Sequence, residues 1–195
     1  MMWNFYDWSA HLEGKLGSSE SAVSDLVINC LFVMALDSFS KICEKIGEKS
    51  KYGNISDVIR KRIFEEFSDG SGLLTLHKGE KEYTTLGNSL AVLCGAVEGI
   101  EARNICDRIV NGELTSSSLS MNVWKYDALM KCDSGKYREY ILTEIRNNYK
   151  TMLESGSTTV WETVDGSRAF DNAGSLCHGW SAVPIYVYHK LDIAK

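Results

Sequence analysis

Two kinds of helical pattern alternate along the chain: stretches almost free of charge, and stretches with one apolar and one charged side. Between residues 22 and 40 the only charges are Asp25 and Asp37, and apolar positions recur with helical period. This predicts a helix over residues 21–46, stopped at Gly47. Because it is apolar nearly all round, it is expected to be buried on most sides. A second helix follows over 54–67. Ile55, Ile59, Ile63 and Phe67 recur every fourth position, with Val58 beside them, and Asp57, Arg60, Lys61, Arg62, Glu65 and Glu66 lie opposite. Asn54 is the expected N-cap.

The same pair of patterns then repeats. Residues 85–97 carry no charge and predict a third, buried helix, and residues 100–110 predict a charged, amphipathic fourth. A mostly apolar and aromatic fifth is expected over 119–132. The sixth, over 136–154, has Tyr137, Ile141, Ile145, Tyr149, Met152 and Leu153 on one face. After a long loop a seventh is expected over 176–191, carrying Trp180, Val183, Ile185, Val187 and Leu191. Odd-numbered helices are thus inner and even-numbered ones outer, the signature of an all-α arc of two-layered helical hairpins forming one domain over residues 1–195. Seven helices make three and a half hairpins, which do not close a ring. The open edges are expected to pair in a homodimer through Val27, Leu31, Met34, Val183 and Val187.

Composition narrows the function. With 21 basic against 26 acidic residues the net charge is −5, which argues against nucleic acid as a partner. No run of eighteen purely apolar residues exists, so no membrane span is expected. The N-terminus, Met1-Met2-Trp3-Asn4, has neither a basic nor an apolar region of the signal-peptide kind, and a complete chain would be cytoplasmic. A single proline, Pro184, fits a helical protein. The six cysteines form no Cys-x-x-Cys pair and mostly sit in apolar helical patterns, so buried, reduced thiols are expected. No Cys/His pair has zinc-ligand spacing, and neither a metal nor a cofactor is implied.

The chemistry concentrates in two loops. In Ser157-Thr158-Thr159-Val160-Trp161-Glu162-Thr163 an indole sits beside a carboxylate in a segment that should be at the surface. Sugar chemistry uses that combination: the indole stacks on C–H faces and the carboxylate activates water or accepts hydroxyl hydrogen bonds. A packed tryptophan and a capping glutamate would look the same. Further on, His178 lies in Ser175-Leu176-Cys177-His178-Gly179-Trp180-Ser181-Ala182, expected in the first helical turn, where the dipole favours the neutral imidazole. A hydrogen-bonded core histidine is the plainer alternative. Asp7, among Trp3, Phe5, Tyr6 and Trp8, is a third candidate, or simply a turn aspartate. Asn122, Trp124 and Tyr126 fit cap and core positions.

The string 157–163 followed by Gly174-Ser175-Leu176-Cys177-His178-Gly179-Trp180-Ser181-Ala182, with Asp7-Trp8 ahead and Pro184-Ile185-Tyr186 behind, resembles the C-terminal half of the catalytic domain of bacterial α-L-rhamnosidases. The resemblance covers essentially the whole chain. It implies half of an (α/α)6 toroid of six helical hairpins and an inverting glycoside hydrolase acting on a rhamnoside-like carbohydrate. Glu162 takes the place of its general base and Trp161 lines the sugar site. By the same resemblance, His178, Trp180 and Asp7 are expected to bind the substrate. All four of Glu162, Trp161, His178 and Asp7 are expected at one end of the arc. The family's general acid lies upstream of the matching part, so the chain is expected to carry the base without the acid. Asp165 and Asp171 share the Glu162 loop, but nothing in the sequence makes either one an acid. A carbohydrate-binding remnant without activity, or a helical interaction module, are the alternatives.

Overall fold

The computed structural model describes residues 5–13, 24–52 and 54–193. Trp3 and the expected first turn of helix one, residues 21–23, lie outside them. The chain divides into two compact units, Met1–Ser116 and Ser117–Lys195.

The first unit holds α1 (Leu26–Lys45), α2 (Ile55–Phe67), α3 (Thr85–Cys94) and α4 (Gly99–Val110). Asp25 starts α1: its extended backbone and its Oδ1, 2.8 Å from the Ile28 N–H, make it the N-cap. Gly47 at φ +76 ends the helix, as the sequence predicts, with its N–H on the Glu44 carbonyl. The expectation that α1 is buried on most sides does not hold. Leu26, Val27, Cys30, Val33, Leu36 and Cys43 form one buried stripe against α2 and α3, while Ile28, Phe32, Phe39 and Ile42 are exposed. A helix apolar all round carries no sequence mark of which face is covered. Over an 18-residue window its mean hydropathy is 1.7, so by length and composition α1 is apolar enough to cross a membrane, a property that counting uninterrupted apolar runs misses.

Arg60 of α2 ties three helices together. Its guanidinium pairs with Asp37 of α1 at 2.6 Å and with Asp57, and donates to the Cys94 carbonyl at the end of α3. Asn54 stands at the cap position of α2 without a side-chain cap bond. On α3 the charge-free pattern is fulfilled: every residue except Leu93 is buried. Thr84 caps it through the Gly87 N–H, and a Cβ on Gly87 would stand 3.0 Å from Leu26, so this glycine sets the close approach of α1 and α3. Asn88, fully buried, is satisfied by both backbone groups of Leu74. On α4, Ala102, Ile105, Cys106 and Ile109 form the buried face.

The second unit is built on α5 (Asn122–Glu154), followed by α6 (Ala169–Asn172) and α7 (Val183–Lys190). The expected fifth and sixth helices are the two arms of α5. They join at Asp133, whose φ −162 and ψ 92 break the helix and whose carboxylate caps the second arm at the Lys136 N–H, 3.0 Å away. Tyr126, Ala128 and Leu129 on one arm, and Tyr137, Ile141, Ile145, Tyr149 and Met152 on the other, are buried.

Helix seven is shorter than expected. It begins at Val183, with Pro184 in the first turn, where a missing N–H costs nothing; residues 179–181 form a separate 3₁₀ turn. It packs on α5, and Tyr149 donates to the Ser181 carbonyl at 2.6 Å. Val183 and Val187 are buried, as is Val27 on α1, so these three do not form an open edge; Leu31 and Met34 are half-buried. All six cysteines are thiols rather than disulfides, with Cys30, Cys43, Cys94 and Cys106 buried.

Candidate active site

The loop between α5 and α7 is organised by two backbone crossings. Gly156, at φ +71, ends α5, and the Ser157 N–H returns to the Met152 carbonyl. The chain then runs beside residues 175–178. The His178 N–H donates to the Val160 carbonyl at 2.8 Å, and the Glu162 N–H to the Ser175 carbonyl at 2.9 Å. The intervening residues coil into a 3₁₀ turn and α6, closed by the Gly174 N–H on the Ala169 carbonyl at 2.9 Å. Glu162 and His178, sixteen positions apart, therefore stand on neighbouring backbone segments.

The Glu162 carboxylate is half-buried. Its Oε2 accepts the Ser175 N–H at 3.2 Å, and Oε1 has no hydrogen-bond partner among the described residues. One oxygen is thus held while the other can take a proton from outside. Trp161 is anchored at both ends: Nε1 donates to Ser157 Oγ at 3.0 Å, and the ring lies on Gly166. A Cβ on Gly166 would stand 2.8 Å from Trp161 Cε3, and its φ is +57, so both space and backbone require glycine there. Gly166→Ala is expected to displace the indole and destabilise the second unit by about 1–3 kcal/mol. Thermal melting together with Trp fluorescence checks this; an unchanged midpoint and emission would show that the ring is not seated on Gly166.

His178 is extended, at φ −132 and ψ 94, and lies outside any helix, so the helix-dipole reason for a neutral imidazole falls away. Its side chain is half-buried. Trp180, in the 3₁₀ turn, is 80% exposed, the most exposed tryptophan described. Asp165 and Asp171 are exposed on the coiled part of the loop. Thr163 Oγ1, next to Glu162 in sequence, is buried without a hydrogen-bond partner.

Asp7 belongs to the first unit. Its carboxylate is buried and closes its own turn, taking the Trp8 N–H at 2.9 Å and the Ser9 hydroxyl at 2.8 Å. The turn sets Trp8 edge-on against Phe5, with ring centroids 4.6 Å apart. The plainer reading of Asp7, a turn aspartate, is the one its local geometry displays.

Sequence reasoning gave no role to Ser157, Gly166 or Ser175, which hold Trp161 and Glu162 in place. Their signal is three-dimensional: nothing in the alternation of 157–163 or 174–182 marks the two segments as neighbours.

An all-α chain with a tryptophan-flanked carboxylate in the loop between α5 and α7 has the make-up of an (α/α)-type glycosidase domain. Residues 1–191 match the family described as the bacterial alpha-L-rhamnosidase 6 hairpin glycosidase domain, and the chain belongs to that family. Two solved structures share the fold. One is the GH78 family rhamnosidase of Bacillus sp. GL1, with a TM-score of 0.80 and 22% identity over 97% of this chain. The other is a rhamnosidase from Klebsiella oxytoca with rhamnose bound, with a TM-score of 0.72 and 15% identity over 95% of this chain. The chain spans 21% of the first and 36% of the second. No curated protein matches it.

Proposed function

We propose that the chain carries the water-activating side of an inverting α-L-rhamnosidase-type site, with Glu162 as general base. The observation that supports this most is the arrangement of its carboxylate: Oε2 is fixed by the Ser175 N–H and Oε1 is left without a partner, while its neighbour in sequence, Trp161, has an anchored indole. In an inverting reaction a water attacks the anomeric carbon from the face opposite the leaving group. The base takes the water's proton as the new C–O bond forms and the glycosidic bond breaks. Glu162 Oε1 is the atom assigned to that proton. Trp161 supplies an apolar wall for the sugar's C–H face. His178 and Trp180 make further sugar contacts, the second as an exposed aromatic surface. The acid that protonates the leaving oxygen is assigned to a residue outside this chain, so the isolated chain is a sugar-binding domain with half of the catalytic pair. Its partner is a rhamnoside-like carbohydrate.

Titration with L-rhamnose, followed by tryptophan fluorescence, tests this. Saturable quenching is expected, weakened in His178→Ala and in Trp180→Ala. A flat titration would leave the purely helical interaction module as the better account.

A further inference from the structure

We propose a divalent transition-metal site in the first unit, formed by His77, Glu80 and Glu82. The cation it suits is Zn²⁺. It is separate in sequence and in unit from the Glu162 loop, and it stands or falls independently of the rhamnosidase assignment.

The ligands sit on a tightly bracketed loop. The Leu76 N–H donates to the Glu82 carbonyl at 2.7 Å and closes the base of the loop, while the Leu26 N–H donates to the Leu76 carbonyl at 2.9 Å and ties it to the start of α1. Within it, the Glu80 N–H returns to the His77 carbonyl, and Gly79 at φ +84 turns the chain. His77 and Glu82 therefore stand at the two feet of the loop, both half-buried, with Glu80 at its exposed tip. One ligand atom from each lies within 4.8 Å of the others, and His77 Nδ1 is 3.0 Å from Glu80 Oε2. A second segment brings His11, whose Nδ1 is 3.2 Å from Glu82 Oε1. It is seated by Leu12, which is buried and whose carbonyl accepts the Tyr6 and Asp7 N–H groups.

One imidazole nitrogen and two carboxylates, with water in the fourth position, are a zinc donor set of the open kind, and a tetrahedral ion with bonds near 2.0–2.2 Å needs ligand atoms about 3.3 Å apart. Side-chain rotation covers the difference from 4.8 Å. Mixed nitrogen and oxygen donors favour zinc over calcium or magnesium, which take oxygen ligands. Cys/His spacing does not reveal the site, because two of its three ligands are glutamates in a His-x-x-Glu-x-Glu run.

The test uses the full chain stripped of metal. Calorimetric titration with Zn²⁺ is expected to show one saturable site that raises the melting temperature and gives a tetrahedral visible band with Co²⁺. Ca²⁺ and Mg²⁺ should not compete. Loss of a direct ligand should weaken binding at least as much as loss of an outer-shell partner, about tenfold or more, in Glu80→Gln and His77→Ala. Glu80 is exposed, so its variant keeps the fold. Cys177→Ser removes the exposed thiol and is expected to change nothing. No saturable binding would overturn the proposal. So would binding that survives Glu80→Gln and His77→Ala, or that disappears in Cys177→Ser.

Discussion

α-L-Rhamnosyl fluoride is expected to be hydrolysed by the chain, while an aryl α-L-rhamnoside is left essentially intact, and Glu162→Gln should remove the fluoride activity by roughly 10²–10⁴-fold, the usual contribution of one general acid or base. The two substrates differ in what the leaving group needs. An aryl or sugar oxygen departs with a proton from an acid, and the inverting arrangement places that acid roughly 6.5–9.5 Å from the base. Fluoride departs without one. A chain that supplies only the base can therefore act on the fluoride alone: water attacks the anomeric carbon, Glu162 Oε1 takes its proton, and the C–F bond breaks. Robust aryl turnover that is lost in Glu162→Gln would mean that this chain, or a second copy of it, supplies an acid. Fluoride hydrolysis unchanged in Glu162→Gln would remove Glu162 from the mechanism.

Lys125→Ala is expected to destabilise the second unit by about 3–5 kcal/mol, the cost typical of removing one partner of a buried ion pair. The Lys125 side chain is 7% exposed, and its Nζ lies 2.7 Å from Glu144 Oε2 and 2.8 Å from Oε1, linking the two arms of α5 across the Asp133 break. Tyr140 also donates to Glu144. Burial lowers the Lys125 pKa, and the Glu144 charge opposes this. Without Lys125 the carboxylate keeps only the phenols of Tyr126 and Tyr140. The double variant Lys125→Met, Glu144→Leu should recover most of the loss, because an apolar pair of similar size needs no counter-charge. Urea unfolding measures both, and a single variant as stable as the parent would show the pair to be a surface contact in effect. The same cluster sets an alkaline limit. Burial, and then Glu144, raise the Tyr126 and Tyr140 phenols above their ordinary 10.0. Above pH 10 the unfolded chain releases phenolic protons that the fold retains, so stability falls as pH rises.

How far the sequence carried differs from element to element. The helices α3 and α4 were legible because one has no charge and the other has a clean polar face, though α3 ends at Cys94, capped by Gly95, short of the expected residue 97. The gap between the two arms of α5 was legible at Asp133–Gly135, though not that a single residue makes the break. The late start of α7 was not read, because Cys177, Trp180 and Ser181 fit a helical pattern that Pro184 at its first turn overrides. The covered face of α1 was not read either. Ile28 and Phe32 are as apolar as Val27 and Val33, and only packing separates them. At the site, resemblance picked out Trp161, Glu162 and His178. The hydrogen bonds that hold them, from Ser157, Ser175 and Val160, come from a loop crossing with no periodic trace.

The most direct check on the proposed sugar site is L-rhamnose titrated into ¹⁵N-labelled chain, with amide shifts followed residue by residue. Shifts concentrated in residues 157–181, centred on Trp161, Glu162, Ser175 and His178 and reduced in His178→Ala, are the expected result. Absent shifts, or shifts centred on the exposed Ile28–Phe32 face of α1, would contradict it.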